Sequence, residues 1–165
     1  MAARCWKFGD NISTDEILPA RYMTIIDIEE LGKLALSGAD PDFASKVTPG
    51  DVVMGGENFG YGSSREHAPL ALKGAGVSAV IAKSFARIFY RNSINLGLPV
   101  IVCAEAVDDA VEGDEVEVDM KSWTVRNLTQ DKSYQFEPYP DFILDFIEKG
   151  GLIKALNDKL ASEQK

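Results

Sequence analysis

An α/β domain of mixed layers is the fold class this sequence predicts, and three observations carry it. Continuous apolar runs rich in valine, such as Val77–Ala82 and Pro99–Ala104, alternate with stretches whose apolar residues recur at helical spacing. From Ala106 onward the pattern becomes apolar-polar alternation, as in antiparallel strands with one solvated face. The length, 165 residues, suits one domain with a sizeable core and is short for two.

In chain order, Cys5–Gly9 predicts a short opening strand, closed by the turn-prone Gly9–Asn11. Ile12–Ile25 has no clear period and contains Pro19, so a structured loop is expected there. Asp27–Leu36 sets Ile28, Leu31, Leu34 and Ala35 at helical spacing and stops before Ser37-Gly38. Gly50–Gly56 predicts a strand after the Pro49-Gly50 turn, and Ala68–Gly74 a helix. Val77–Ala82 is expected to be a strand buried on both faces. Phe85–Gly97 predicts a helix with Gly97 at its C′ position and Pro99 beyond, and Pro99–Ala104 another buried strand. Asp114–Met120, Trp123–Leu128 and Ser133–Glu137 predict a small antiparallel sheet. Pro140–Gly151 returns to helix with a double-glycine stop. One domain over 1–165 is expected, with a polar C-terminal tail from about 157, and no internal repeat interrupts it.

Charge and cysteine content restrict the function. A net charge of -9 and a pI near 4.6 disfavour phosphate backbones and anionic lipid as partners. An acidic protein that binds an anion needs a local positive spot, so single arginines matter. Two distant cysteines, Cys5 and Cys103, argue against a disulfide scaffold and against a zinc or iron–sulfur site built by this chain alone. The opening residues lack the apolar run of a signal peptide, and no segment reaches transmembrane length, so a soluble cytoplasmic protein is expected.

Chemistry concentrates in Asn58–Pro69, which holds two glycines, adjacent serines, an arginine, a glutamate and the single histidine. Ser63-Ser64-Arg65-Glu66 has the spacing of a capping box. Pro69 resists that reading, because with Ser64 as cap it would remove a bond inside the helix, unless the helix begins nearer His67. The nucleophile elbow fails, since glycine stands where the serine should be, and the dinucleotide fingerprint fails at Arg65. No Walker lysine exists, and a Ser–His–Asp relay through His67 would need a histidine that more often is a packed or solvated helix residue. What remains is a glycine-bounded backbone with open N–H groups, two hydroxyls, and an arginine fork suited to a carboxylate. A serine can act as a base beside that carboxylate only where donors and a strong field hold its alkoxide. Cap and ligand site both stay open on these residues.

Three stretches in register, Gly9–Tyr22, Gly56–Pro69 and Ala79–Val100, resemble the small subunits of aconitase-type hydro-lyases. Among these, 3-isopropylmalate dehydratase is nearer than its homoaconitase and dimethylmalate dehydratase cousins. The likeness runs from about Phe8 to the final helix. It implies a swivelling three-layer β/β/α domain that docks on a large subunit carrying a 4Fe-4S cluster, with no cofactor or metal on this chain. It implies Ser63 as the catalytic base, Ser64 and Arg65 as substrate-binding residues, and Asp15 as the acid that orients a large-subunit histidine. Lys83, Ser84 and Arg87 match the family too and are expected along the cleft or the subunit contact, whereas Glu66 and His67 are expected to be structural. The segment after Tyr22 is the family's substrate-sensing loop, and here it offers Met23, Thr24 and Ile25. Without an arginine there, a branched alkyl group fits better than a carboxylated tail, which favours isopropylmalate, citramalate or dimethylmalate over homoaconitate. A non-catalytic binding module is the alternative from another class, and the joint presence of Ser63, Arg65 and Asp15 argues against it.

Overall fold

A computed structural model of the chain describes residues 3–63 and 65–163. Strand β1 (Ala3–Lys7) pairs in parallel with β2 (Val52–Gly55), β2 with β3 (Ala79–Ala82), and β3 with β4 (Val100–Val102). On the other side of β1 the pairing is antiparallel, through β5 (Glu115–Asp119), β6 (Thr124–Asn127) and β7 (Lys132–Gln135). The described strands form a seven-stranded sheet in the order β4-β3-β2-β1-β5-β6-β7.

Side-chain alternation along the parallel strands divides the interior in two. Trp6, Val53, Val80 and Val100 are mutually in register and face one core. Leu31 of α2 (Ile28–Gly32), Leu72 of α4 (His67–Gly74), and Phe89 and Ile94 of α5 (Arg87–Asn95) cover that face. Cys5, Val52, Met54, Ala79, Ile81 and Ile101 face the other core, with Val116, Val125 and Phe136 of the antiparallel wing and Ala106 and Val107 of α6 (Ala104–Asp109). The sheet therefore curls so that its antiparallel wing lies over its parallel half, with helices on the far side. That is the expected β/β/α layering. The Tyr139 hydroxyl donates to the Val100 carbonyl, tying the segment after β7 to the edge strand β4.

Several local expectations need revision. Ile12–Ile25 is not an irregular loop: it holds α1 (Thr14–Ile17) and a 3₁₀ turn at Ala20–Tyr22. A four-residue helix is too short to show a period, although its cap is legible. The helix expected over Asp27–Leu36 is regular only to Gly32, and Ile28 stays exposed. Gly32 packs directly on Gly74, where a Cβ would lie 2.3 Å from the Gly74 carbonyl carbon, so inter-helix approach rather than an amphipathic stripe fixes this segment. Val100 and Ile101 are buried as expected, but Val102 is exposed at the end of the edge strand. Short α3 (Phe43–Lys46) anchors the core through fully buried Phe43. The chain ends in α7 (Asp141–Glu148) and α8 (Leu152–Glu163), the second extending through the polar stretch. The Lys73 ammonium donates to the carbonyls of Leu96 and Gly150, satisfying the ends of α5 and α7 with one positive charge. No described helix is long and apolar enough to cross a membrane.

Asp51, just before β2, is a buried acid that joins β1 to the turn leading into β2. Its carboxylate accepts from Arg4 N at 3.1 Å, Trp6 Nε1 at 2.9 Å and Thr48 N at 3.0 Å. Burial pushes this carboxyl upward, but the donated hydrogen bonds together outweigh it and hold the group below the ordinary carboxylate value. Its contribution to stability is therefore complete above the unfolded-state pKa of ~3.9 and is lost as pH falls through the lower folded-state value. Urea midpoints are expected to hold between pH 7 and 5 and to drop below pH ~4, and Asp51→Asn should make that drop shallower.

Candidate active site

Three segments leave the C-terminal ends of β1, β2 and β3 and continue side by side, the end of a parallel sheet where α/β proteins place their sites. The middle segment, Gly56–Ser63, is bonded to its neighbour on one side through Gly56 N to Gly9 O (3.0 Å), Asn11 N to Glu57 O (2.8 Å) and Gly60 N to Ile12 O (2.7 Å). On the other side Phe59 N donates to Ser84 O and Ala86 N to Phe59 O, each at 3.0 Å. Side chains reinforce the seam: Asp10 Oδ1 accepts from Glu57 N at 2.7 Å, and Ser84 Oγ accepts from Asn58 N at 2.7 Å while donating to Glu57 Oε2. Fully buried Phe59 locks the middle segment down, with its ring edge-on to Phe85 and Phe89.

The capping box exists, but not where the motif at 63–66 suggested. Ser13 and Glu16 form it at the start of α1, with Glu16 N donating to Ser13 Oγ at 3.0 Å and Ser13 N to Glu16 Oε1 at 3.2 Å. Helix α4 instead begins at His67 after Glu66, with no side-chain cap. Pro69 is then its third residue, where no intrahelical N–H bond is required. Ser63 is thereby free of helix duty. It is partly buried, and its N–H donates to the Thr14 hydroxyl at 3.1 Å.

Thr14, Leu18, Met23, Arg65, His67 and Ala68 line a small recess of about 10 Å³, room for about one water, between α1 and the start of α4. Arg65 and Met23, drawn from segments some forty residues apart, both line it. Asp15 follows Thr14 in the first turn of α1, exposed, with its carboxylate accepting from Ala20 N at 2.9 Å. That bond fixes the turn from which Met23 follows. Thr24 is exposed and Ile25 packs against the core, so Met23, Thr24 and Ile25 face different surroundings. Ser64 lies outside the described residues. Lys83 pairs with Asp108 at 2.5 Å, and that hydrogen bond and charge hold its ammonium above the ordinary value. Arg87 lies on a separate apolar groove with Tyr90, Arg91 and Phe142. His67, expected to be structural, borders the cleft. Thr14 was not singled out by its sequence, although a hydroxyl residue immediately before Asp15 was the available signal.

No group of three or more His, Cys, Asp or Glu side chains is arranged to hold a metal among the described residues. Cys5 and Cys103 are free and buried, and burial pushes both thiols upward, which suits core residues rather than metal ligands.

Comparison with known proteins gives this geometry a family. The aconitase C-terminal domain matches residues 39–105. The isopropylmalate/citramalate isomerase small subunit of Methanocaldococcus jannaschii is 53% identical over 161 residues, covering 98% of this chain and 96% of its own. The 3-isopropylmalate dehydratase small subunit of Methanosarcina acetivorans is 51% identical over 166 residues, covering 99% and 100%. This chain belongs to the 3-isopropylmalate dehydratase small-subunit family. A crystal structure of 3-isopropylmalate dehydratase from M. jannaschii superimposes with a TM-score of 0.92 at 41% identity, covering 99% of this chain and 98% of that one. The family fold is therefore present over the whole described chain, curled sheet included.

In this small-subunit fold the serine segment depends on Gly60. Its φ is +85°, and a Cβ there would lie 2.2 Å from Phe89 Cγ. Gly60→Ala is expected to cost about 2–4 kcal/mol in urea unfolding, from a strained backbone plus overpacking against a buried ring.

Proposed function

We propose that the chain is the small subunit of a cytoplasmic hydro-lyase that interconverts 2-isopropylmalate and 3-isopropylmalate by dehydration and rehydration, the isomerisation used in leucine biosynthesis. The observation that carries this reading is the shared lining of one small recess by Arg65, Met23 and Thr14, the last of which also accepts a hydrogen bond from Ser63 N. The family's relatives are named for this activity, one of them also for citramalate.

Ser63 is the base. It takes the proton from the carbon next to the substrate carboxylate and returns a proton during rehydration of the unsaturated diacid. A serine hydroxyl is too weak for this unaided, and Arg65, two residues on, supplies fixed positive charge while its planar fork holds a carboxylate. Ser64 adds a donor to substrate. Asp15 orients a histidine of the large subunit, which gives a proton to the departing hydroxyl, so one C–H and one C–O bond break and water leaves. A 4Fe-4S cluster on the large subunit supplies Lewis acidity toward the substrate hydroxyl and carboxylate. Met23 presents an apolar surface to the alkyl substituent, and no arginine in the sensing loop is available to pair with a carboxylated tail.

The test is reconstitution with a cognate, cluster-loaded large subunit. Turnover of isopropylmalate is expected only with both chains, and hydration of an unsaturated diacid by this chain alone would overturn the division of labour. In the assembled enzyme Ser63→Ala should lower kcat by about 10²–10⁴-fold, the range for losing a general base, and unimpaired turnover would remove Ser63 from that role.

Substrate choice is tested separately by kcat/KM on isopropylmalate, citramalate, dimethylmalate and homoaconitate. The wild type should favour the alkyl malates, with homoaconitate last. Met23→Arg should lower kcat/KM for isopropylmalate by about tenfold or more while improving the ratio for homoaconitate, because it replaces an apolar contact with a buried guanidinium.

A further inference from the structure

Of the bonds that join the two catalytic segments, the one that reaches Ser63 is made by Thr14. Its N–H donates to Tyr61 O at 2.8 Å, and its Oγ1 accepts from Ser63 N at 3.1 Å. Ser13 and Tyr61 are paired as in a parallel ladder, and in a continuing ladder the next carbonyl would receive the following N–H. Here α1 begins at Thr14 and turns its carbonyl into the helix, where it accepts from Leu18 N at 2.8 Å. The side-chain hydroxyl takes the place of the diverted carbonyl. Thr14 is 6% exposed, so no bulk solvent is at hand to do the same. Gly62, between the two bonds, has φ +115°, and a Cβ there would lie 3.1 Å from the Thr14 hydroxyl oxygen. Close approach and hydrogen bond together fix where the backbone delivers Ser63.

We propose that Thr14 is the positioning residue for Ser63, holding the serine at a set place relative to Asp15 and the cleft; this rests on the assignment of Ser63 as the base. Thr14 acts through the Ser63 backbone and takes no part in proton transfer. A β-branched side chain suits the task because its χ1 is restricted, which makes Oγ1 a stiffer anchor than a serine hydroxyl. Misplacement of a reacting group by about 1 Å can cost about 10²-fold in rate, so a single backbone bond at this point reaches the chemistry.

The experiment uses the assembled, cluster-loaded enzyme with Thr14→Val, Thr14→Ser, Ser63→Ala and Thr14→Val/Ser63→Ala. T14V keeps the shape and removes the acceptor. It is expected to lower kcat by about 10- to 100-fold with KM within about threefold, since Arg65 and Met23 still bind substrate. T14S is expected to recover kcat to within a few-fold of wild type. The double variant should fall no further than S63A alone, whereas a merely structural loss of folded enzyme would lower both backgrounds equally. In the wild-type chain, the Ser63 amide should exchange its hydrogen slowly, and an unprotected amide would overturn the proposal even if T14V fails to assemble. Full kcat in T14V while S63A is inactive would remove Thr14 and leave the base in place. Full kcat in S63A would instead remove the base assignment on which the proposal rests.

Discussion

The arrangement of the cleft depends on one constraint: backbone pairing continues past the ends of β1, β2 and β3. Most α/β domains release their chain into independent loops at this edge, and the loops then carry function at some cost in order. Here the middle exit segment is bonded on both flanks, by Gly9–Ile12 and by Ser84–Ala86. Asp10, Glu57 and Ser84 bond the same seam through side chains. The consequence reaches sequence. A segment held this tightly between two others has no room to relax around Phe59 and Phe89, which explains a glycine at 60 in a left-handed conformation.

The same constraint sits well with the chain's charge. At net -9 the protein repels a dicarboxylate at long range, so binding an anion requires short-range features whose position is fixed. Arg65 is partly buried beside α1 and the first turn of α4, against a small recess walled by Leu18, Met23 and Ala68. Apolar walls lower the local dielectric and strengthen a fork-to-carboxylate contact beyond its worth on an open surface. The acidic residues that set the net charge are mostly on the helices and the antiparallel wing, away from the cleft walls.

Much of this was legible in the sequence, for reasons that can be named. The buried strands announce themselves because both faces are apolar, as in Ala79–Ala82, and the wing because one face is not. The serine segment stood out by composition, and Pro69 correctly weighed against a cap at 63–66. Short elements did not show: α1, the 3₁₀ turn and α3 span too few residues for a period. Close approach was invisible as well, since nothing in the local sequence says that Gly32 meets Gly74. Of the candidate site the residue types were readable, but not that Arg65 and Met23 share a recess or that Ile25 turns to the core. Thr14 illustrates the general limit. Its importance arises from a non-local hydrogen bond, created where one strand's carbonyl is captured by a helix, and a single chain of letters does not display such a competition.

That competition also bears on how the proposed half-site can be made to work. When the base lies on one polypeptide and the Lewis acid on another, their separation is set by docking, and every internal degree of freedom in either half adds to the error. A mobile serine loop would have to be ordered at the moment of binding, at the expense of affinity or of rate. A segment bonded on both sides up to Phe59, and on to Ser63 through Ile12 and Thr14, arrives with much of that entropy removed. On the proposed division of labour, then, the rigidity of the strand-exit seam is a requirement imposed by the second chain. The uncommon features of this one, from the left-handed glycines at 60 and 62 to the buried hydroxyl at 14, are the local means by which the sequence meets it.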